Sequence, residues 1–176
     1  MGRDLRAEAR LYAEKIKKIR LALFDVDGVC TSGHLYWSGE EVGFNRFFHA
    51  HDGYGMKQLM KNGIQVGIIT GGDSLGVKKR FEGLGVDYLY MGNEDKRKAF
   101  AEILTKSGIS SEECLYIGDE FFDLPILTKV GFSVTVPDAS IEIKEACDYT
   151  TFKKGGEGAV REVIDMIRFI QEFKNL

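Results

Sequence analysis

The sequence predicts an α/β fold: a Rossmann-like parallel sheet with helices on both faces. Three observations point there. Short apolar, β-prone runs recur along the chain, helix-like segments closing at glycine lie between them, and the acidic and threonine residues of greatest chemical interest fall directly after the apolar runs. Strand alternating with helix is the pattern of a parallel sheet covered on both sides.

The elements can be justified in order. The charged opening reads as an amphipathic helix from about Asp4 to Lys18, so 1–18 is an N-terminal helix and 19–176 a single domain. With 176 residues and 44% hydrophobic content, the chain can fill one core. Five strands are expected: IRLALF at 19–24, IQVGIIT at 64–70, VDYLYM at 86–91, CLYIG at 114–118 and FSVTV at 132–136. The helical segments between them are GYGMKQLMKNG, SLGVKKRFEGLG, EDKRKAFAEILTKSG and FFDLPILTKVG. Residues 29–50 break the rhythm. Two aromatic-rich β-like stretches flank a SGEE turn, which predicts a projecting β-hairpin too short to be a cap domain. Its Tyr36, Trp37, Phe44 and Phe47 would be costly in water, so a subunit interface is expected there, the alternative being a hairpin folded onto its own core.

Composition excludes several function classes. A net charge of -3 with mixed signs leaves no basic stripe for a nucleic acid. No apolar run is long enough to span a membrane, and the opening lacks the core of a signal peptide, which predicts a cytoplasmic protein. Cys30, Cys114 and Cys147 are odd in number and far apart, so reduced structural thiols are expected.

The strongest chemical signal is ALFDVDGVCTSG. Alternation points Asp25 and Asp27 to one side at the carboxyl edge of the sheet, where parallel α/β proteins bind ligands. Two carboxylates there repel unless a cation intervenes, and a magnesium ion with its taste for a few hard oxygens would serve. Asp25 is then the nucleophile toward phosphorus and Asp27 the acid and base; a plain Asp-Gly turn explains the pair about as well. At IITGGDS, Thr70 ends a strand and Gly71 and Gly72 let backbone approach a phosphate, although a Thr-Gly-Gly turn capped by Asp73 or Ser74 is the plainer reading. Lys96 stands at a helix start, where a cation is disfavoured, which invites a role in neutralising the attacking carboxylate. YIGDEFFDLP puts Asp119, Glu120 and Asp123 after another strand: Asp119 reads as a metal ligand, with Glu120 and Asp123 supporting it from behind and Asp123 able to pair with Lys96.

In order and local sequence, DVDG, the ITG ending at Thr70, Lys96 and GDEFFD resemble the four motifs of the haloacid dehalogenase (HAD) superfamily of phosphotransferases. From about Ile19 onward the chain is similar to its small capless branch, the 3-deoxy-D-manno-octulosonate 8-phosphate phosphatases, sharing DGYGMKQLMKNGIQVGIITG, SVTVPDA and GGEGAVREV. The resemblance implies magnesium held by Asp25, the main-chain carbonyl of Asp27 and Asp119, and an aspartyl-phosphate intermediate. It also implies a homotetramer built through the hairpin, with the tail from about 152 to 176 closing the site. Thr70, Gly71 and Lys96 would then hold phosphate, and Lys154 and Arg161 would contact the acid or phosphate group of a sugar acid phosphate across an interface. The branch usually has Arg where this chain has His51 and Gly72, often Arg at Glu157, and Asp at Glu120. Nine-carbon sugar acid 9-phosphate phosphatases, which can carry GGEG in the tail, are the nearest alternative. A catalytically silent homologue that only binds sugar phosphate or a protein partner is the alternative of another class. A receiver module fails on motif order, because its phosphate-accepting aspartate would sit on the third strand, where VDYLYMGN offers none.

Overall fold

The computed structural model describes residues 4–174. Its centre is a parallel six-stranded sheet formed by β1 (Leu21–Phe24), β4 (Gln65–Ile69), β5 (Tyr88–Tyr90), β6 (Cys114–Ile117), β7 (Phe132–Thr135) and β8 (Tyr149–Thr150). The order across the sheet is β5-β4-β1-β6-β7-β8, so the chain builds outward from β1 on one side and then crosses to build on the other. β2 (Tyr36–Trp37) and β3 (Phe44–Asn45) form the antiparallel hairpin, with Trp37 opposite Phe44.

Every residue of β1 and β6 is buried, and alternation divides them between two cores. Ala22, Phe24, Leu115 and Ile117 face the core shared with α3 (Ala50–Lys61), α4 (Leu75–Leu84) and α8 (Ala159–Ile170). Leu21, Leu23, Cys114 and Tyr116 face the core shared with α5 (Arg97–Ser107), α6 (Leu124–Leu127) and α7 (Ile141–Ala146). Tyr116 is the polar exception in an apolar strand, and a buried phenol needs a partner.

The structure departs from the sequence expectation in three places. The sheet has a sixth strand, whose two residues are too short a run to signal themselves. The single N-terminal helix is instead α1 (Leu5–Leu11) and α2 (Ala13–Ile16), broken at Tyr12. Tyr12 turns inward, its ring 5.4 Å from that of Phe132 and 5.6 Å from that of Tyr149. FFDLPILTKVG gives only one 3₁₀ turn, Phe121–Asp123, and the short α6, with Pro125 confined to the first helical turn, where its missing N–H costs nothing. Residues 1–3 and 175–176 of the expected terminal segments lie outside the described residues. Among the described residues no helix is long and apolar enough to cross a membrane.

The tail is tied down by buried carboxylates. Glu162 accepts from the Tyr149 hydroxyl at 2.8 Å and from the amides of Phe152 and Lys153 at 2.9 and 3.0 Å. The N-cap of α8 is Gly158, which has no capping side chain, and Asp52 of α3 serves instead by accepting from the Arg161 amide at 2.8 Å. Burial pushes the Asp52 carboxyl up to about 6, against the Arg161 amide and the charges of His49, Lys153 and His51, which pull it down. A pKa raised in the folded state favours folding below the unfolded value near 4 and loses that contribution as pH rises through about 6. Asp52→Asn keeps an acceptor for Arg161 and removes the charge. It should raise stability at pH 8 by about 1–3 kcal/mol, with the gain gone at pH 4, as read from urea unfolding at both values.

Candidate active site

β1 and β6 pair in register, Phe24 beside Ile117, and the Asp25 amide donates to the Ile117 carbonyl at 3.0 Å. Their loops therefore leave the sheet side by side where the strand order turns, the place where α/β sheets open a ligand crevice. Carboxylate oxygens of Asp25, Asp119 and Asp123 come within 4.8 Å of one another there.

Lys96 enters from the N-cap of α5, its side chain fully buried. Its Nζ lies 2.7 Å from Asp25 Oδ1 and 2.7 Å from Asp123 Oδ1, and 3.3 Å from the Tyr116 hydroxyl. Burial alone would lower the Lys96 pKa, but the charges of Asp25 and Asp123 outweigh it and hold the ammonium above its usual value. These two carboxylates account for a cation seated against the positive end of a helix.

One ammonium cannot neutralise three carboxylates. Burial, followed by the charge of Asp123, drives Asp25 well above the usual carboxylate range, with Lys96 opposing. Burial and then the charge of Asp123 likewise push Asp119 up to about 7. Asp123 is already saturated. Its Oδ1 accepts from Lys96 at 2.7 Å and the Tyr116 hydroxyl at 2.5 Å, and its Oδ2 from the Asp119 and Glu120 amides, both at 3.1 Å. Asp119 Oδ1, by contrast, is buried with no hydrogen-bond partner among the described residues. The carboxylates of Asp25 and Asp119, brought together with one orphaned oxygen on Asp119, form the hard-oxygen donor set that a magnesium ion takes. Gly28, at φ 88°, allows the approach, since a Cβ there would stand 2.1 Å from Asp119 Oδ2.

The remaining expected residues divide. Asp27 lines the cleft beside the cluster and is paired with Arg46, at the end of the hairpin, which grips both of its oxygens (Nε to Oδ1 2.5 Å, Nη2 to Oδ2 2.7 Å). Thr70 is buried at the end of β4, and its Oγ1 accepts from the Gly72 amide at 3.2 Å, its own proton having no acceptor among the described residues. Gly71 packs against Glu94, where a Cβ would meet Cγ at 3.1 Å. Glu120 is exposed, and its carboxylate accepts from the Phe121 amide at 3.2 Å, so it caps backbone instead of joining the acidic cluster.

A cleft of about 360 Å³ opens beside Asp27 and Asp119, lined also by His34, Asp138, Lys154 and Glu157. Lys154 reaches it within the same chain, 3.1 Å from Asp138 Oδ1. Arg161 is not brought to it: its Nε lies 3.0 Å from Asp165 Oδ1 on its own helix, because the Arg161 backbone is committed to Asp52. His51 is exposed on α3, its ring 5.1 Å from that of His49.

Two residues at the site escaped sequence reading. Tyr116 carried a signal, a phenol in a strand buried on both faces. Arg46 carried a weaker one, a lone cation among hairpin aromatics.

Comparison with known proteins points to one family. The haloacid dehalogenase-like hydrolase family matches residues 89–164. Over 159 residues the chain is 41% identical to the 3-deoxy-D-manno-octulosonate 8-phosphate phosphatase of Salmonella typhi, covering 89% of this chain and 83% of that one. The crystal structure of the enzyme of the same name from Yersinia pestis superposes with a TM-score of 0.87 at 39% identity, covering 91% of this chain and 86% of that one. That from Moraxella catarrhalis, in complex with a magnesium ion, a phosphate ion and a KDO (3-deoxy-D-manno-octulosonate) molecule, gives 0.87 at 36% identity, covering 93% of each chain.

Proposed function

The chain belongs to the haloacid dehalogenase-like hydrolases, and from that membership we propose that it is a magnesium-dependent phosphatase of 3-deoxy-D-manno-octulosonate 8-phosphate. The observation that carries the substrate is the level of likeness, 41% over 89% of the chain, to phosphatases named for that sugar acid. The Moraxella relative holds magnesium, phosphate and the sugar acid together.

In the mechanism we propose, Asp25 attacks phosphorus and the bond to the sugar oxygen breaks. Asp27 gives the departing alkoxide its proton. Asp27 then takes a proton from the water that cleaves the aspartyl phosphate, restoring Asp25 and releasing phosphate. Lys96 and the free hydroxyl proton of Thr70, with amides near Gly71, offset the charge on the transferring group. The carboxylates of Asp25 and Asp119 and the main-chain carbonyl of Asp27 would hold magnesium, which when bound supplies Lewis-acid polarisation of a phosphoryl oxygen. Asp123 keeps Lys96 and the Asp119 loop in place, and Lys154 meets the sugar acid at the cleft.

We also propose a homotetramer in the cytoplasm; what supports the subunit contact is the hairpin, where Trp37, Phe44 and Phe47 are 55%, 55% and 75% exposed, an apolar surface that a neighbouring subunit would cover. One observation favours the nine-carbon 9-phosphates as a second reading, namely that Glu157 lines the cleft itself.

Phosphate release from a panel holding both sugar acid phosphates decides between the readings. The eight-carbon substrate should be preferred and activity lost on chelation of magnesium. Preference for the nine-carbon ester would move the assignment, and binding without release would make the chain a silent homologue.

A further inference from the structure

The acid and base of the proposed reaction is held by a residue that no other part of the mechanism uses. Arg46 is 8% exposed although it follows a hairpin of exposed aromatics. Its guanidinium faces Asp27 side-on, Nε to Oδ1 at 2.5 Å and Nη2 to Oδ2 at 2.7 Å, the fork geometry that fixes a carboxylate in position as well as in rotation. The other side of the fork is anchored: Nη1 donates to Ser74 Oγ at 3.1 Å and to the Phe44 carbonyl at 3.4 Å. Ser74 is the N-cap of α4, its Oγ also accepting from the Val77 amide at 3.3 Å. The Asp27 carboxylate is thus braced against the first turn of a helix through one buried side chain.

The seat of that side chain exists because position 72 has none. A Cβ on Gly72 would stand 2.9 Å from Arg46 Nη2 and 3.2 Å from Asp27 Oδ2. A larger group would occupy the space of the fork itself. Gly72 is the last glycine of the expected phosphate loop, so the residue that ends the loop also admits the arginine.

We propose that Arg46 is a positioning residue for Asp27, and that Arg46 and Gly72 act as one unit: the fork aims the Asp27 carboxylate at the oxygen it protonates, and Gly72 keeps its seat open. A carboxylate free to rotate would seldom present an oxygen to the leaving group, so the loss appears in turnover while substrate binding is spared.

The inference rests on the phosphatase reading, and wild-type release is the reference in every arm. Arg46→Ala, Arg46→Lys and Gly72→Ala should each lower kcat on the sugar acid phosphate by about 10- to 100-fold with KM within about threefold. Lysine should not rescue, because an ammonium cannot grip both oxygens. Ethylguanidinium at millimolar concentration should restore part of the Arg46→Ala rate. With 4-nitrophenyl phosphate and enzyme in excess, the Arg46 variants should release nitrophenolate near the wild-type rate, because that leaving group departs without a proton. Full activity of Arg46→Lys overturns the proposal. So does a rise in KM at unchanged kcat, which would make Arg46 a substrate contact, or an equal loss of single-turnover nitrophenolate release. Should Arg46→Ala fail to fold, Arg46→Gln carries the same test with much of the side-chain volume kept. A silent wild type overturns both readings, whereas an active wild type with an active Arg46→Lys overturns this one alone.

Discussion

Asp25→Asn is expected to reduce phosphate release by on the order of 10⁵-fold or more while leaving a folded protein. The amide is nearly the size of the carboxylate but cannot form a stable bond to phosphorus. Two further consequences separate lost chemistry from misfolding. Asp25 is buried among Asp123 and Asp119, and its carboxyl is raised well above the usual range by burial and by the charge of Asp123. A group of this kind lends stability below its unfolded pKa and loses it as pH rises through its folded one, so in chelator the wild type should lose stability on going from pH 5 to pH 8. Asp119, pushed up to about 7, adds to the same slope with the same sign. Asp25→Asn should therefore melt at or above the wild-type temperature at pH 8 in chelator, and its melting point should respond less to added magnesium. Turnover above a tenth of wild type in a preparation free of contaminating phosphatase would remove Asp25 from the nucleophile's role.

Lys96→Met should cost both activity and stability. Among the described residues the ammonium is the only cation within bonding distance of Asp25 and of Asp123, at 2.7 Å from each, and its side chain is fully buried. Methionine fills the volume but leaves the acidic cluster uncompensated, a loss of about 3–5 kcal/mol, part of which proton uptake can offset. The deficit should be greatest at pH 8 and smaller at pH 5, where protons substitute for the missing charge, and thermal melts across that range will show it. Turnover should fall by about 10³-fold or more, since the charge that offsets the transferring phosphoryl group is gone. Lys96→Arg should not restore it, because the fork is too large for a pocket closed by the Tyr116 hydroxyl on one side and the Phe122 ring, 4.5 Å from Nζ, on the other.

How much of this was legible in the sequence depends on the range of the interaction. Asp25, Thr70 and Asp119 were readable because each directly follows an apolar run, and a parallel sheet brings all such ends to one edge. Lys96 was readable from its discord with the helix dipole, and pairing with it was one of two roles that the acidic cluster after β6 offered for Asp123. The division of labour among the acids was not. Whether Asp123 is saturated, or Asp119 keeps an oxygen without a partner, depends on which amides and hydroxyls surround it in three dimensions, and Tyr116 is seven residues away from Asp123. Arg46 and Asp27, nineteen residues apart, meet only because the hairpin folds back over the phosphate loop. Lys154 and Arg161 looked alike as tail cations. The structure separates them, because Asp52 fixes the backbone of Arg161 to α3 while Lys154 precedes the helix and faces the cleft. The sixth strand and the break at Tyr12 were missed for a shared reason: each is set by packing of isolated aromatics, with no periodic run to announce it.

The tail carries one more implication. The loop before α8 lies directly on the loop that bears Asp25 and Asp27: a Cβ on Gly155 would stand 1.8 Å from the Gly28 carbonyl, and the Gly156 amide donates to the Val29 carbonyl at 3.1 Å. The backbone there has no freedom to drift, while the side chains on either side of the contact, Lys154 and Glu157, both reach the cleft. In the proposed function these two positions meet the substrate, and the packed backbone between them separates their side chains from the loop that carries the chemistry. On that reading the reaction and the choice of substrate occupy separate genetic coordinates, and a lineage would explore new sugar phosphates through two codons while the machinery that breaks the ester stays inherited.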